Sequence, residues 1–283
     1  MGEPRLTIWL LRHGQTHANV ACIMQGQSGG ELTELGHLQA RAAGRRLAKL
    51  PAFSAIYCSD LHRTRQTVDE VCTAPGAAFP APVFTAILRE RACGDFEGLP
   101  YGAGAAAARL AGVPAREFKA PGGGESWTDV GDRATAFLQS VVSSHLAAQG
   151  SGPACSSLLV VTHGGWIREA TLAWRSYAEP KPGASATAPA AAAPNASLYR
   201  FEVVHRRSHS ASPLVSPPVP PAAEFTCVLT LSADVSHLAG LGGATGHEKK
   251  RQGSTGAGGR GSGGRGGGGR TVTTKDEGGA GHH

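Results

Sequence analysis

Two apolar runs in this 283-residue chain end alike: Leu10-Leu11-Arg12-His13-Gly14 and Val160-Val161-Thr162-His163-Gly164. Imidazole can act as nucleophile, acid or base near neutral pH, and an adjacent glycine lets the backbone approach a ligand. A single His-Gly pair is most often the end of a strand. Two of them, with the residues that follow, suit transfer chemistry on an anion. Arg12 adjoins the first pair, and Asn19 follows in the spacing Arg-His-Gly-Gln-Thr-x-x-Asn. Arg63 stands within Ser-Asp-Leu-His-Arg-Thr-Arg-Gln-Thr at 59–67, in the first turn of an expected helix. Helix N-termini favour anions, and a guanidinium there adds a fork for phosphate oxygens. Arg65 projects to another side and reads as a solvated arginine. Glu90 closes Leu-Arg-Glu; alone it would be a surface charge.

Elements that could position these groups follow from periodicity. Leu6–Leu11, Ala55–Cys58, Pro82–Leu88 and Ser157–Thr162 read as strands. Helices are expected from Thr33 to Lys49, from a Ser59-Asp60 cap to Cys72, from Ser126 to Leu146, and from Gly165 to Trp174. The first should bury Leu35, Leu38, Ala42 and Leu47. The third opens on a capping box, Ser126-x-x-Asp129, and should bury Trp127, Val130, Ala134, Phe137, Leu138 and Val141. Leu198–Val204 and Phe225–Leu231 read as a closing strand pair, with Ala/Pro/Ser-rich loops at 178–194 and 206–222. Strands alternating with helices predict an α/β sandwich: a mainly parallel sheet, helices on both faces, antiparallel strands at one edge. Ligands of such sheets bind beyond the carboxyl ends of the strands, where both His-Gly pairs lie.

Composition narrows the function. The stretch 242–283 holds 17 of the 40 glycines and little apolar surface, so it is expected to be a disordered tail behind a domain at 1–241. It carries seven Lys/Arg and three Asp/Glu, four of the six net positive charges. The remainder offers no broad basic face for nucleic acid, and three arginines among the tail's glycines are a weak RNA-binding signal. No apolar run approaches the roughly 18 residues of a membrane span. Six scattered cysteines without a CxxC pair read as reduced thiols in a cytoplasmic protein.

The joint pattern over about residues 6–231 resembles the histidine phosphatase, or phosphoglycerate mutase-like, superfamily. The resemblance implies that His13 is phosphorylated, that Arg12, Arg63 and His163 surround the phosphate, and that Glu90 is general acid and base. It adds Asn19, Gln25 and Gly26 to the substrate contacts. The chemistry agrees. Two guanidiniums and an imidazolium can neutralise a phosphoryl group in transit. Neutral His13 can attack, and Glu90 can protonate the leaving alkoxide and then activate water. Neither a cofactor nor a metal is expected.

Mutase signatures are missing: Ala18 precedes Asn19 where mutases carry Trp, and Arg91-Ala92-Cys93-Gly94 replaces Arg-x-Tyr-Gly. Met24–Gln27, Leu32–Gly36, Leu88–Arg91, Pro121–Glu125 and His163–Arg168 look like the family's fructose-2,6-bisphosphatases. That likeness implies hydrolysis of fructose 2,6-bisphosphate to fructose 6-phosphate, which lowers glycolytic flux, by a monomer with nuclear or mitochondrial association besides the cytoplasm. A broad-specificity or 2,3-bisphosphoglycerate phosphatase is the alternative. A catalytically silent partner-binding protein on the same fold is the alternative from another class. The Ala-rich segment Gly102–Ala111 is expected at the site mouth, with few side chains to read a substrate.

Overall fold

The two His-Gly strands lie side by side at the centre of a six-stranded sheet. The computed structural model describes residues 5–76, 78–148, 155–177, 193–205 and 225–241, all within one compact unit, Met1–Gly246. The glycine-rich tail and most of the two Ala/Pro/Ser-rich loops fall outside the described residues. The strands are β1 (Arg5–Arg12), β2 (Ala55–Ser59), β3 (Pro82–Thr85), β4 (Cys155–Thr162), β5 (Leu198–His205) and β6 (Phe225–Asp234). Their order is β3-β2-β4-β1-β5-β6. The first four run parallel; β5 is antiparallel to both β1 and β6. Arg12 pairs with Thr162, so His13 and His163 leave neighbouring strands at the same level.

β1 is apolar on both faces because both are covered. Leu6, Ile8 and Leu10 join the cluster under α5 (Trp127–Ala148) and α6 (Gly164–Trp174). Trp9 and Leu11 join the cluster under α2 (Glu34–Leu47) and α3 (His62–Cys72). The predicted sandwich is therefore observed. The short α1 (His17–Val20) and α4 (Ala103–Leu110) flank the carboxyl edge of the sheet. In α5 the capping box forms in both directions, Ser126 N–H to Asp129 at 2.8 Å and Asp129 N–H to Ser126 Oγ at 3.1 Å. Val130, Ala134, Phe137, Leu138 and Val141 are buried as expected, while Trp127 is half-buried and faces a cavity.

Three expectations need correction. Ala42 and Leu47 of α2 are buried as expected, but Leu35 is half-buried and Leu38 exposed; Gly36, Gln39, Ala40, Ala43 and Gly44 complete the buried face. Small residues win because the backbones come close: a Cβ on Gly44 would stand 2.6 Å from the carbonyl oxygen of Val71 in α3. The cap expected at Ser59-Asp60 is absent, since α3 begins at His62 with no side-chain cap bond. Ser59 instead meets His163 (2.8 Å), and the Asp60 carboxylate holds Arg89 at 2.6 and 2.7 Å. β3 stops at Thr85, and Ala86–Leu88 forms a 3-10 turn with the Leu88 carbonyl accepting from Thr162 Oγ1 at 2.7 Å. Arg65 is exposed, as expected, with its guanidinium 4.0 Å over the Phe84 ring and its Nε donating to the Asp60 carbonyl.

Candidate active site

Every backbone polar group of His13 and Gly14 is engaged. His13 N–H donates to the Thr162 carbonyl at 3.0 Å, and the His13 carbonyl accepts from Ala196 N–H at 3.1 Å. Gly14 N–H donates to Thr67 Oγ1 at 3.1 Å. The Gly14 carbonyl sits 2.7 Å from His13 Nδ1. A carbonyl only accepts, so Nδ1 carries the hydrogen and the lone pair of the neutral ring is on Nε2. Gly14 has to be glycine, because a Cβ there would meet the Gly36 carbonyl oxygen at 2.4 Å.

His163 is fully buried, with its ring 5.3 Å from that of His13, centroid to centroid. Its Nε2 contacts Ser59 Oγ at 2.8 Å, and its Nδ1 is buried without a hydrogen-bond partner among the described residues. Burial first, then the neighbouring guanidiniums of Arg12 and Arg63, hold His13 well below the usual histidine range of about 6.5. Burial, Arg63 and His13 do the same to His163. Both rings are neutral at neutral pH. The imidazolium expected at His163 therefore requires an incoming anion.

Arg63 is 1% exposed, and its Nη2 and Nη1 donate to the carbonyls of Gly26 (2.8 Å) and Ser28 (3.1 Å). Burial lowers its pKa to about 10, so it stays charged. Arg12 donates to the Ala193 carbonyl, and the Nε atoms of Arg12 and Arg63 are buried and unpartnered among the described residues. Gln25 is buried, and its Oε1 has no partner among the described residues. Gly26, at φ +51°, has no room for a Cβ, which would lie 2.2 Å from Glu97 Oε1. Asn19 Oδ1 accepts from Thr16 N–H at 3.1 Å, and its amide donates to the Tyr101 hydroxyl at 3.2 Å.

The Glu90 carboxylate accepts from Arg91 N–H and from Gly165 N–H, each at 2.9 Å. The second donor belongs to the first turn of α6, where helix N–H groups are free and favour negative charge. A Cβ on Gly165 would stand 2.2 Å from Glu90 Oε1. A second layer fixes the loop that carries Glu90. Glu125 accepts from Ala92 N–H (2.9 Å) and pairs with Arg133, while Arg133 reaches the carbonyls of Ile87 (2.7 Å) and Arg89 (3.2 Å). Gln27 donates to the Glu90 carbonyl at 3.1 Å.

These groups converge on one cavity of about 290 Å³. Arg12, His13, Asn19, Gln25, Gly26, Arg63 and Glu90 line it; His163 lies behind His13, outside the lining. Met24, Arg91, Cys93, Tyr101, Gly102, Gly104, Ala105 and Trp127 complete the wall. Gly102 and two residues of α4, Gly104 and Ala105, thus line the cavity. Ser59, Thr67, Gln27, Glu125, Arg133 and Asn195 escaped the sequence reading. Gln27 and Glu125 lie in the quoted stretches Met24–Gln27 and Pro121–Glu125, and Ser59 and Thr67 delimit the 59–67 motif, but their contacts are to atoms of distant segments.

Two guanidiniums, two facing imidazoles and a carboxylate at the carboxyl edge of such a sheet define a class. Residues 8–211 match the histidine phosphatase superfamily (branch 1), and the chain belongs to that family. It is 33% identical over 165 residues to a metal-independent phosphoserine phosphatase of Arabidopsis thaliana, covering 57% of this chain and 65% of that protein. It is 37% identical over 122 residues to the mouse (Mus musculus) fructose-2,6-bisphosphatase TIGAR, covering 42% of this chain and 45% of that one. The solved structure of a mycobacterial glucosyl-3-phosphoglycerate phosphatase superposes with a TM-score of 0.59 at 31% identity, over 82% of this chain and 99% of its own.

Proposed function

We propose that the chain is a metal-independent phosphatase that hydrolyses small phosphomonoesters through a phosphohistidine at His13. One observation carries the reading. The Nδ1–Gly14 hydrogen bond leaves the Nε2 lone pair on a neutral ring that lines a cavity shared with Arg12 and Arg63. Nε2 attacks phosphorus while the ester oxygen departs and takes a proton from the Glu90 carboxyl. The carboxylate then draws a proton from water, which attacks phospho-His13 and releases phosphate. Arg12, Arg63, Asn19 and Gln25 bind the phosphoryl oxygens, with Gly26 giving close backbone approach. The buried Nδ1 of His163 gains a proton as the dianion arrives.

Fructose 2,6-bisphosphate is the first candidate substrate, supported by the likeness to TIGAR. Beyond the phosphate seat, however, the wall is Met24, Cys93, Tyr101, Ala105 and Trp127, with Arg91 the one added cation among the described residues. That wall favours a second reading, a phosphatase of broad specificity, and the phosphoserine and glucosyl-3-phosphoglycerate phosphatases among the relatives point the same way.

The test is a panel on the full chain: fructose 2,6-bisphosphate, 2,3-bisphosphoglycerate, phosphoserine, glucosyl-3-phosphoglycerate and an aryl phosphate, with and without EDTA. Turnover should survive EDTA, and rapid quench should trap 32P on His13 and none in His13→Ala. A strict magnesium requirement, or label on another residue, overturns the mechanism. Silence on the whole panel favours the partner-binding alternative.

A further inference from the structure

The segment Ala193–Ser197, between the second His-Gly helix and β5, wraps the first His-Gly pair. Arg12 N–H donates to the Ser197 carbonyl at 3.2 Å, and the Arg12 guanidinium donates to the Ala193 carbonyl. Ala196 takes a positive φ of +53°, unusual for a residue with a side chain, and its N–H reaches the His13 carbonyl. Asn195, between them, turns its side-chain nitrogen toward three acceptors: Asn19 Oδ1 at 2.9 Å, the Gly14 carbonyl at 3.2 Å and the His13 carbonyl at 3.3 Å.

The neighbours dictate that orientation. Thr16 N–H can only donate, so it fixes Oδ1 as the atom Asn19 presents to it. Asn195 must then offer N–H to the same oxygen, and carbonyls supply the other two contacts. A flipped amide would put oxygen against three oxygens.

We propose that Asn195 is a positioning residue for the nucleophile. Its amide holds the carbonyl of Gly14, the atom that accepts from His13 Nδ1 and so sets which ring nitrogen is free to attack. It also ties that carbonyl to Asn19 at the cavity wall. One side chain thereby keeps the ring tautomer and a substrate contact in register. The inference rests on His13 as the nucleophile.

Substitution by Ala removes both donors and leaves the Gly14 carbonyl held by the imidazole alone. With p-nitrophenyl phosphate, kcat of Asn195→Ala should fall roughly 10–100-fold, the range expected of a misplaced reacting group, with KM changed less than about threefold. Histidine 15N NMR of the unliganded full chain should show one neutral His13 tautomer, hydrogen on Nδ1, in the wild type. Asn195→Ala should show a mixture. Asn195→Ser keeps a donor and should lie between them, and it serves if the alanine variant does not fold. Wild-type kcat in Asn195→Ala overturns the proposal, as does a loss of kcat with the single tautomer retained. The two readings fail separately: if the wild type never labels His13 the proposed function falls, while the tautomer comparison still decides what Asn195 does.

Discussion

In the proposed mechanism Glu90 serves both halves of the chemistry, and its replacement should have effects that depend on the leaving group. Glu90→Gln keeps size and hydrogen bonding but can neither give a proton nor take one. A sugar phosphate leaves as a poor alkoxide, so phosphorylation of His13 should fall by roughly 10²–10⁴-fold. An aryl phosphate leaves unaided, so labelling should be near normal while dephosphorylation slows and phospho-His13 accumulates. Rapid-quench 32P labelling with both substrates reads this directly, and equal losses would move the proton to His163. At this scale the sequence was most informative. His13, His163, Arg12, Arg63 and Glu90 have side chains whose chemistry is visible in their type and motif spacing, and the fold brings all five together. Asn195 carried no signal, and Ser59 and Thr67, though they delimit the 59–67 motif, gave no sign of their site contacts, because each serves through a backbone carbonyl, a backbone N–H or a ring nitrogen of a segment far away in the chain. Arg63 was legible as an anion-binding group, but its grip on the Gly26 and Ser28 carbonyls was not.

Helix α6 contributes its N-terminus rather than a side chain, which makes Gly165 a test of the element. A methyl there would stand 2.2 Å from Glu90 Oε1 and 2.7 Å from Trp127. Gly165→Ala should therefore displace the carboxylate and reproduce much of the Glu90→Gln pattern, slow on sugar phosphates and near normal in aryl phosphate labelling. Alanine is the better helix former, so circular dichroism should show no loss of helix. Loss of both substrate classes together would mean that the clash is spread through α6 instead. Capping of α5 offers a stability check: Ser126→Ala removes one arm of the box and should cost about 1 kcal/mol in urea unfolding, with kcat little changed. The strands and the α5 capping box were legible because apolar runs and Ser-x-x-Asp spacing are local signals. The apolar stripe of α2 and the start of α3 were not. Leu38 loses to glycine and alanine because only a small residue lets α2 approach α3, a property of the pair of helices. Ser59 and Asp60 satisfy the local rule for a cap, yet His163 and Arg89 take their side chains.

The whole molecule keeps two neutral histidines against two guanidiniums, and that has a thermodynamic signature. Unfolded, each ring takes up a proton near pH 6.5. Folded, both are held well below that value by burial and by Arg12 and Arg63. The unfolded chain thus binds more protons as the pH falls through 6.5, so stability is fully present above that pH and is lost below it. Calorimetry from about pH 8 to about pH 5 should show a Tm that is flat and then falls, with the fall reduced in His13→Asn. Inorganic phosphate brings the missing negative charge and should raise Tm, by the equivalent of roughly 2.7 kcal/mol at a hundred times its Kd. A Tm indifferent to phosphate would say that the cavity is not an anion seat. The sandwich was legible at this scale from the alternation of strands and helices, but the placing of β5 against β1 was not, because sequence adjacency says little about which edge a late strand joins. That placing governs the order of assembly during synthesis. β1 is first of the six strands to be made, yet it finds its two partners in β4 and β5, the fourth and fifth. A growing chain therefore carries His13 on a strand whose two edges are both unsatisfied until β4 and β5 have been made. The floor of the cavity thus stays open on one edge until β5, Leu198–His205, has joined β1, so the site is assembled from the chain's two ends late in folding.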